Sequence, residues 1–455
     1  MAEQEQDIQQ ELKEKQQSGV VQLKEATEQL SKYGGFDIIE TTLKGVENLN
    51  PKKKARKEIF LSEAQFKDER ASLKRRLELW KELLSSTDDL SEMMATCDEK
   101  SQKADQMLNL NLKKAIDASR NLEQSYRTVS LFYKNTESEK LKNVTILNAA
   151  QEQLTDLDVP TFFDAVGEEF RKTYDRLDLR ENYSMLILPG YLGSNAVLNK
   201  WAKLAHDHKV MMLTDFRNLD SPDDVMDMFQ AANHAGGDVH LSNVIMTCNW
   251  LVGREKYDEL GEDDELYVPP SAALAGKIYK TLMSQVTAGK KFGGISEVEG
   301  VKFPLKKSEI SSLEKMGLVP MVNEYGKVMA FSAKTLFNGD NIGLQTYSVV
   351  RVFDWVSKVL VDFLNRRAFE NFNANTKRDV RSQIVKFLDS IQGPNNLIQK
   401  FKILRFEQDP KQKDRIYLDI HISPYFPAKT FVMKLDGTKG DDPDSPEWNS
   451  EYAQE

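Results

Sequence analysis

The spacing of apolar positions divides the chain into stretches of different character. From residue 1 to about 140 they are sparse and fall three and four apart among charges, the spacing of amphipathic helices. The segment "LSEAQFKDERASLKRRLELWKELLSSTDDLSEMM" carries Phe66, Leu73, Leu77, Trp80, Leu83 and Leu84 on such a stripe, with Ser62 placed to cap it. A second helix is predicted through "QKADQMLNLNLKKAIDASRNLEQSYRTVSLFY", and Pro51 is the only proline before Pro160. Amphipathic helices need something to lie on. Either they pack on the body of the same protein as a helical subdomain, or another chain docks on them.

From about 143 the pattern becomes one of strands alternating with helices. "NVTILN", "YSMLILPGYLG", "KVMMLTDF" and "NVIMTCNWLV" are short apolar runs expected to be buried strands, the second ended by Pro189 and Gly190. Between the last two lies "RNLDSPDDVMDMFQAANHAGG". Its start signal is Ser221 with Pro222, its apolar face is Val225, Met228 and Phe229, and its stop is Gly236 with Gly237. Strand, helix, strand predicts a right-handed crossover in a partly parallel sheet, an α/β core. The last third reads as α+β. "SVVRVFDWVSKVLVDFLNRR" presents Val349, Val352, Phe353, Val356, Val359, Leu360 and Phe363 along one side, and the next helix is opened by Thr376 with Asp379 and closed by Gly393. "FKILRFEQDP" leads into the terminal strands. There Ile416, Leu418, Ile420 and Ile422 alternate with polar residues, and after Pro424 and Pro427 the alternation resumes with Phe431, Met433 and Leu435. The expected layout is a helical region over 1–140, an α/β domain over 141–335, a C-terminal domain over 336–437 and an acidic, solvated tail over 438–455.

Composition narrows the function. The 455 residues, 40% of them hydrophobic and 29% charged, can bury a substantial core in two or three domains. A net charge of -9 argues against a nucleic-acid binder, and the single basic run, Lys52, Lys53, Lys54, Arg56 and Lys57, reads as a solvated linker or a counter-charge for an acidic partner. Two cysteines, Cys97 and Cys248, make no disulfide framework. "MAEQEQDIQQELKEKQQ" has no apolar core of a leader peptide and no run reaches membrane-spanning length, so the protein is expected in the cytoplasm, without membrane insertion.

Candidate chemistry is thin. Four of the five histidines, His206, His208, His234 and His240, fall near Asp207, Asp215 and Asp238, and imidazole with carboxylate is a normal metal-ligand set. An HxH pair points both rings one way only on a strand, however, whereas 205–209 reads as a helix end; surface or loop histidines are the plainer reading. "VTAGKKFGGISEVEG" lacks the Walker spacing, and no GxSxG, HExxH or paired-cysteine motif occurs. Nothing here warrants an enzyme or a cofactor.

The C-terminal third, in contrast, resembles the C-terminal domain of contractile tail sheath proteins: an Arg-containing helix, a phrase like "FENFNANT", a second helix, a strand, a P-x-x-P-A turn carried by Pro424, Pro427 and Ala428, and a last strand with Phe431. "LYVPPSAALAGKIYKT" is similar to the sheath phrase in which "PPS" precedes "AG" and an aromatic, here Pro269, Pro270, Ser271, Ala275, Gly276 and Tyr279. "LKKSEISSLEKMGLVPMVNEYGKVMAFSAKTLF" and the early helix with its tryptophan look like the large sheath subunit of the type VI secretion system, the TssC (VipB-like) family. The similarity covers most of 60–435. Departures at 286–305 and the shorter length suggest a divergent branch such as that of Bacteroidetes.

The resemblance implies a structural protein that pairs with a small sheath subunit (TssB/VipA-like) and stacks with its own copies in a helical sheath. It also implies an inner tube of Hcp-like hexamers, a baseplate and a ClpV-like AAA+ unfoldase in the bacterial cytoplasm. In that setting Ile416, Leu418, Ile420, Ile422, Phe431, Met433 and Leu435 belong to inter-subunit strands, and Phe66, Leu73, Leu77 and Trp80 to the docking face for the small subunit. Lys377, Arg378, Arg381 and Lys386 are candidates to face the tube. The alternatives are a self-sufficient phage-like or pyocin-like sheath and, in another class, a metal-dependent enzyme built on the four histidines.

Overall fold

A computed structural model describes residues 40–41, 44–50, 52–137, 141, 143–179, 182–437, 439 and 448–453. The N-terminal segment read for a leader peptide lies outside them. The chain divides into two compact units, one up to Ala115 and one from Ile116. That division falls within a helix, not near residue 140.

In the first unit helix α1 (Lys54–Ser62) and helix α2 (Lys67–Leu84) are joined by a 3-10 turn at Ala64–Phe66. Ser62 ends α1, its hydroxyl donating to Glu58 O at 2.7 Å; it does not cap α2, where Phe66 holds the cap position. The basic run straddles the start of α1, Lys52 and Lys53 lying before it and Lys54, Arg56 and Lys57 inside it. Val46, Leu49, Phe60, Leu73 and Leu77 form a small core, with Phe66 and Leu84 at its edge. After a turn at 85–89 comes helix α3 (Leu90–Asn135), its residues beyond Ala115 belonging to the second unit.

The second unit continues with helix α4 (Thr161–Tyr174), strand β1 (Met185–Leu188), helix α5 (Asn195–Asp207), strand β2 (Met211–Asp215), helix α6 (Pro222–Ala232) and strand β3 (Val244–Cys248). Then come strands β4 (Leu251–Arg254) and β5 (Leu266–Val268), helix α7 (Pro270–Lys280), strand β6 (Gly300–Val301), helix α8 (Lys307–Lys315), and strands β7 (Leu318–Glu324) and β8 (Lys327–Ala330). The main sheet has the order β1-β2-β3-β7-β8, parallel up to β7 and closed by the antiparallel β8, while β5-β4-β6 form a small antiparallel sheet.

Alternate residues of the main strands enter two different cores. Met212, Val244, Met246 and Leu318 face α4, α5, α6 and α8, whereas Met211, Leu213, Ile245 and Val319 face α3, α7 and the residues around Tyr347. A sheet covered on both faces explains why its strands read as continuous apolar runs instead of an alternation.

Local signals misplace several boundaries. "NVTILN" is not a strand: 143–150 have no regular structure, and Val144, Ile146 and Leu147 are exposed. "NVIMTCNWLV" is broken into β3 and β4 at Asn249, which holds a left-handed φ of 63°. Its buried amide donates to Phe303 O and Met321 O, both at 2.8 Å, a role that an apolar residue could not fill. Helix α6 is capped by Ser221 and stopped by the left-handed Asn233, three residues ahead of the two glycines.

The C-terminal part runs through helix α9 (Tyr347–Arg366), helix α10 (Ala374–Ser390), strands β9 (Ile398–Gln408) and β10 (Ile416–Pro424), and strands β11 (Val432–Gly437) and β12 (Trp448–Ala453). Asn373, not Thr376, caps α10, accepting from the backbone N–H groups of Asn375 and Thr376. Val352 and Val356 of α9 pack with Val380, Ile384 and Leu388 of α10 in a further core, while Phe353 turns out to solvent. The tail read as a plain solvated end contributes β12.

Two predictions follow from packing on the main sheet. A Cβ on Gly276 of α7 would lie 2.3 Å from Phe132 O of α3, so Gly276→Ala is expected to cost about 1–3 kcal/mol, seen as a lower denaturation midpoint. Asp215 is fully buried, and burial raises its pKa from 3.8 to about 6. Its stabilising contribution is therefore complete below pH 3.8 and lost as pH rises through about 6. Wild type should lose melting temperature relative to Asp215→Asn between pH 4.5 and 7; a difference that does not change with pH would contradict the raised value.

Candidate functional site

The two terminal hairpins differ in what lies beneath them. In β9–β10, Leu418, Ile420 and Ile422 pack toward α9 and α10 together with Phe401, Ile403 and Phe406. The register pairs Leu418 with Phe406, Ile420 with Ile403 and Ile422 with Phe401, and two irregularities leave Leu404 and Gln399 without partners. Each extra residue shifts the side-chain parity, which keeps both Ile403 and Phe406 inward and turns Leu404 out. Ile416, at the strand end, is exposed.

Among the described residues no hydrophobic core includes the β11–β12 hairpin. Met433 pairs with Tyr452, Leu435 with Ser450 and Gly437 with Trp448, so Met433, Leu435, Trp448 and Tyr452 share one face, while Val432, Lys434, Asp436, Asn449, Glu451 and Ala453 share the other. Phe431, Met433, Leu435, Trp448 and Tyr452 are each 48–65% exposed. That face is left open among the described residues. Each hairpin is a two-stranded sheet; a single bridge from Gln392 to Ile398 is the further pairing among the described residues. The connecting segment with Pro424, Pro427 and Ala428 is anchored by Tyr425, whose hydroxyl donates to Gly393 O at 2.7 Å, and by Lys429, 2.7 Å from the buried Glu314 of α8.

The other predicted residues fall as follows. Leu73 and Leu77 are spent inside the core of the first unit and Phe66 packs at its edge, leaving Trp80, 36% exposed, as the open member of that set. On α10, Arg378, Arg381 and Lys386 are exposed and Lys377 is half-buried. The four histidines do not converge. His206 Nδ1 lies 2.8 Å from Asn243 Oδ1, His208 Nδ1 2.8 Å from Leu204 O, His234 Nε2 3.0 Å from the Tyr191 hydroxyl and His240 Nε2 2.6 Å from Asn199 Oδ1. Among the described residues no group of three His, Cys, Asp or Glu side chains is placed to hold a metal ion, and no helix is long and apolar enough to cross a membrane.

An ion network that sequence reading missed ties the C-terminal half of α3 to the segment after β4. Arg254 and Glu262 are both buried and bidentate, with Nη1–Oε2 at 2.8 Å and Nη2–Oε1 at 2.9 Å. Arg120 also binds Glu262, and Glu123 bridges Arg254 and Arg127. The hydrogen bonds from Arg254 hold the Glu262 carboxyl down at about 2. No local signal marks Glu262, which is one acidic residue of "GEDDE". Strand β12 did carry a signal, since Trp448, Ser450 and Tyr452 alternate with polar residues.

A packed body that presents a strand pair with one open apolar face is the architecture of an assembly subunit, and comparison with known families identifies the class as contractile sheath protein. The TssC/VipB-like N-terminal region matches residues 23–112, the type VI secretion system TssC/VipB central domain matches 114–338, and the TssC/VipB-like C-terminal domain matches 346–454. The chain belongs to the TssC/VipB family, the large sheath subunit of the type VI secretion system.

Similar solved structures include a chain of the anti-feeding prophage (AFP) baseplate, with 17% identity, a TM-score of 0.47, and coverage of 69% of this chain and 80% of that one. The contracted AFP helical sheath shows 18% identity, TM-score 0.47, and 69% and 81% coverage. The contracted PVC sheath complex of an extracellular contractile injection system shows 14% identity, TM-score 0.46, and 70% and 81% coverage. No curated protein matches the sequence.

Arg254→Ala should destabilise the protein by about 3–5 kcal/mol, because it leaves Glu262 buried with only Arg120 as counter-charge. Adding Glu262→Gln should recover part of that loss in the same denaturation series; full additivity of the two changes would mean that they do not act as a pair.

Proposed function

We propose that this protein pairs with a small sheath subunit and stacks with its own copies into a helical tube around an inner Hcp tube, contracting to drive that tube outward. The observation that carries this reading is the β11–β12 hairpin, which displays Phe431, Met433, Leu435, Trp448 and Tyr452 outside every core of the described residues. A strand edge and an apolar face left open in one chain are satisfied when a neighbour adds strands. Heterologous contacts that do not close on themselves build helical assemblies. The anchored segment 425–431 joins the packed hairpin to the open one, so subunits could rotate while the strand link holds.

The small subunit is assigned to the N-terminal helices, where Trp80 of α2 and Met107, Leu108, Leu110 and Leu112 of α3 are exposed. The exposed bases of α10, Arg378, Arg381 and Lys386, are assigned to the tube. A baseplate and a ClpV-like unfoldase complete the set of partners, and the working place of such a machine is the bacterial cytoplasm.

Expression of the chain alone and together with the small gene product, viewed by negative-stain microscopy, tests the two-chain assembly. Tubes should form only with both chains, and tubes from this chain alone would overturn the reading in favour of a self-sufficient sheath. Met433→Pro should abolish tubes by removing a ladder donor while leaving the circular dichroism and melting of the isolated chain close to wild type. Normal tubes from that variant would exclude the hairpin as an assembly element.

A further inference from the structure

Helix α8 ends on a misplaced charge. Glu314 is its last residue but one, at the end where the helix dipole is negative, and it is 7% exposed. A carboxylate is unfavourable at that end of a helix and costly in the interior, so it needs a cation. Among the described residues the cation within ion-pair reach is Lys429, its Nζ 2.7 Å from Glu314 Oε1. The Ser332 hydroxyl lies 3.5 Å from the same oxygen and cannot replace a charge. The buried end of α8 is thus compensated by the segment that joins the two terminal hairpins.

The last ladder pair of β9–β10 is Pro424 with Ile398, and the first of β11–β12 is Val432 with Ala453. Residues 425–431 between them have no regular structure, and a free tether of that length would reach about 23 Å. Such a tether would let β11–β12 sweep a wide volume, and a chain that docks on it would have to remove that freedom. The segment is not free. Tyr425 is fixed to Gly393 O, Pro427 locks its own φ and Lys429 is fixed to Glu314, so alternate residues are held and Thr430 and Phe431 remain before the ladder. Lys307 of α8, 5.7 Å from the centre of the Tyr452 ring, adds a weaker contact from the same helix.

We propose that Lys429 and Glu314 are positioning residues for assembly: their ion pair fixes the direction in which β11–β12 leaves its own subunit, so that the hairpin meets a neighbouring chain already aimed. The inference rests on the reading of β11–β12 as an assembly element. It also places the remaining joint, since movement between subunits is then taken up at Thr430 and Phe431, beyond the ion pair.

Two measurements test the pair. In the isolated full chain, spin labels on Asp389→Cys of α10 and Lys434→Cys of β11, with Cys97→Ser removing the exposed native thiol, report the direction of the hairpin by pulsed electron resonance. The distance distribution should be narrow in that background and about twofold broader after Lys429→Met, and equally so after Lys429→Met combined with Glu314→Gln. In co-expression with the small gene product, both variants should need about tenfold more protein to form tubes. The neutral double variant separates aiming from stability. Lys429→Met alone leaves Glu314 buried without its cation and should melt below wild type, whereas the double variant removes both charges and should melt close to it. Unchanged distance distributions in the two variants would overturn the proposal, and so would tubes from the double variant at the wild-type concentration. If the wild-type pair of chains forms no tubes, the assembly reading fails instead, and the distance measurement still decides whether the ion pair aims the hairpin.

Discussion

Four segments of the second unit meet at one carboxylate. Asp215, at the end of β2, accepts from Gly190 N in the loop after β1 at 2.8 Å, from the Thr247 hydroxyl of β3, and from both the backbone N–H and the hydroxyl of Ser271 in the first turn of α7, at 2.7 and 2.6 Å. Each oxygen takes two donors, so the charge is buried without leaving a lone pair idle. The loop after β1 leads into α5, which covers one face of the sheet, while α7 covers the other. One side chain therefore sets both helical layers against the strands. The "PPS" phrase acquires a reason here: Pro270 occupies a helix position where no N–H is missed, and Ser271 supplies two of the four donors.

The C-terminal part divides its strands by burial. α9 links the core under the main sheet to the one under β9–β10, so the first hairpin is built into the body, and its bulges preserve an inward apolar face along its length. Among the described residues the second hairpin joins none of the cores, and its Tyr452 ring meets Lys307 of α8 at 5.7 Å. Its internal ladder satisfies backbone groups between β11 and β12, yet its aromatic face gains little from folding in an isolated chain, since hydrophobic stabilisation scales with area removed from water. A two-stranded ribbon without a core is marginal alone.

Helices and strands with a strong local pattern were legible in the chain. The α6 start at Ser221 and Pro222 and the alternation of β10 follow from capping, periodicity and turn residues a few positions apart, while the α8–β7–β8 segment was legible through its likeness to the sheath family. Where a boundary depends on a distant partner, the local signal fails. Asn249 splits an apolar run because Phe303 and Met321 present carbonyls to it, and "NVTILN" has strand composition but pairs with no strand among the described residues. The candidate docking stripe illustrates the same limit, since Leu73 and Leu77 have the spacing of an interface and are consumed by Val46, Leu49 and Phe60.

The sequence by itself determined the kinds of element, their order, the α/β and α+β division and, through phrases in the right order, the family. These are short-range properties: a helix stripe, a cap or a strand alternation is written within a few residues. The tertiary structure alone decided which apolar residues are spent inside and which remain open, where Asp215 finds its four donors, and how Arg254 meets Glu262. It also decided that the acidic tail returns as β12 against β11. Each of these depends on groups far apart in the chain approaching to hydrogen-bond distance, and that approach is specified by the packing of the whole and not by any local run of residues.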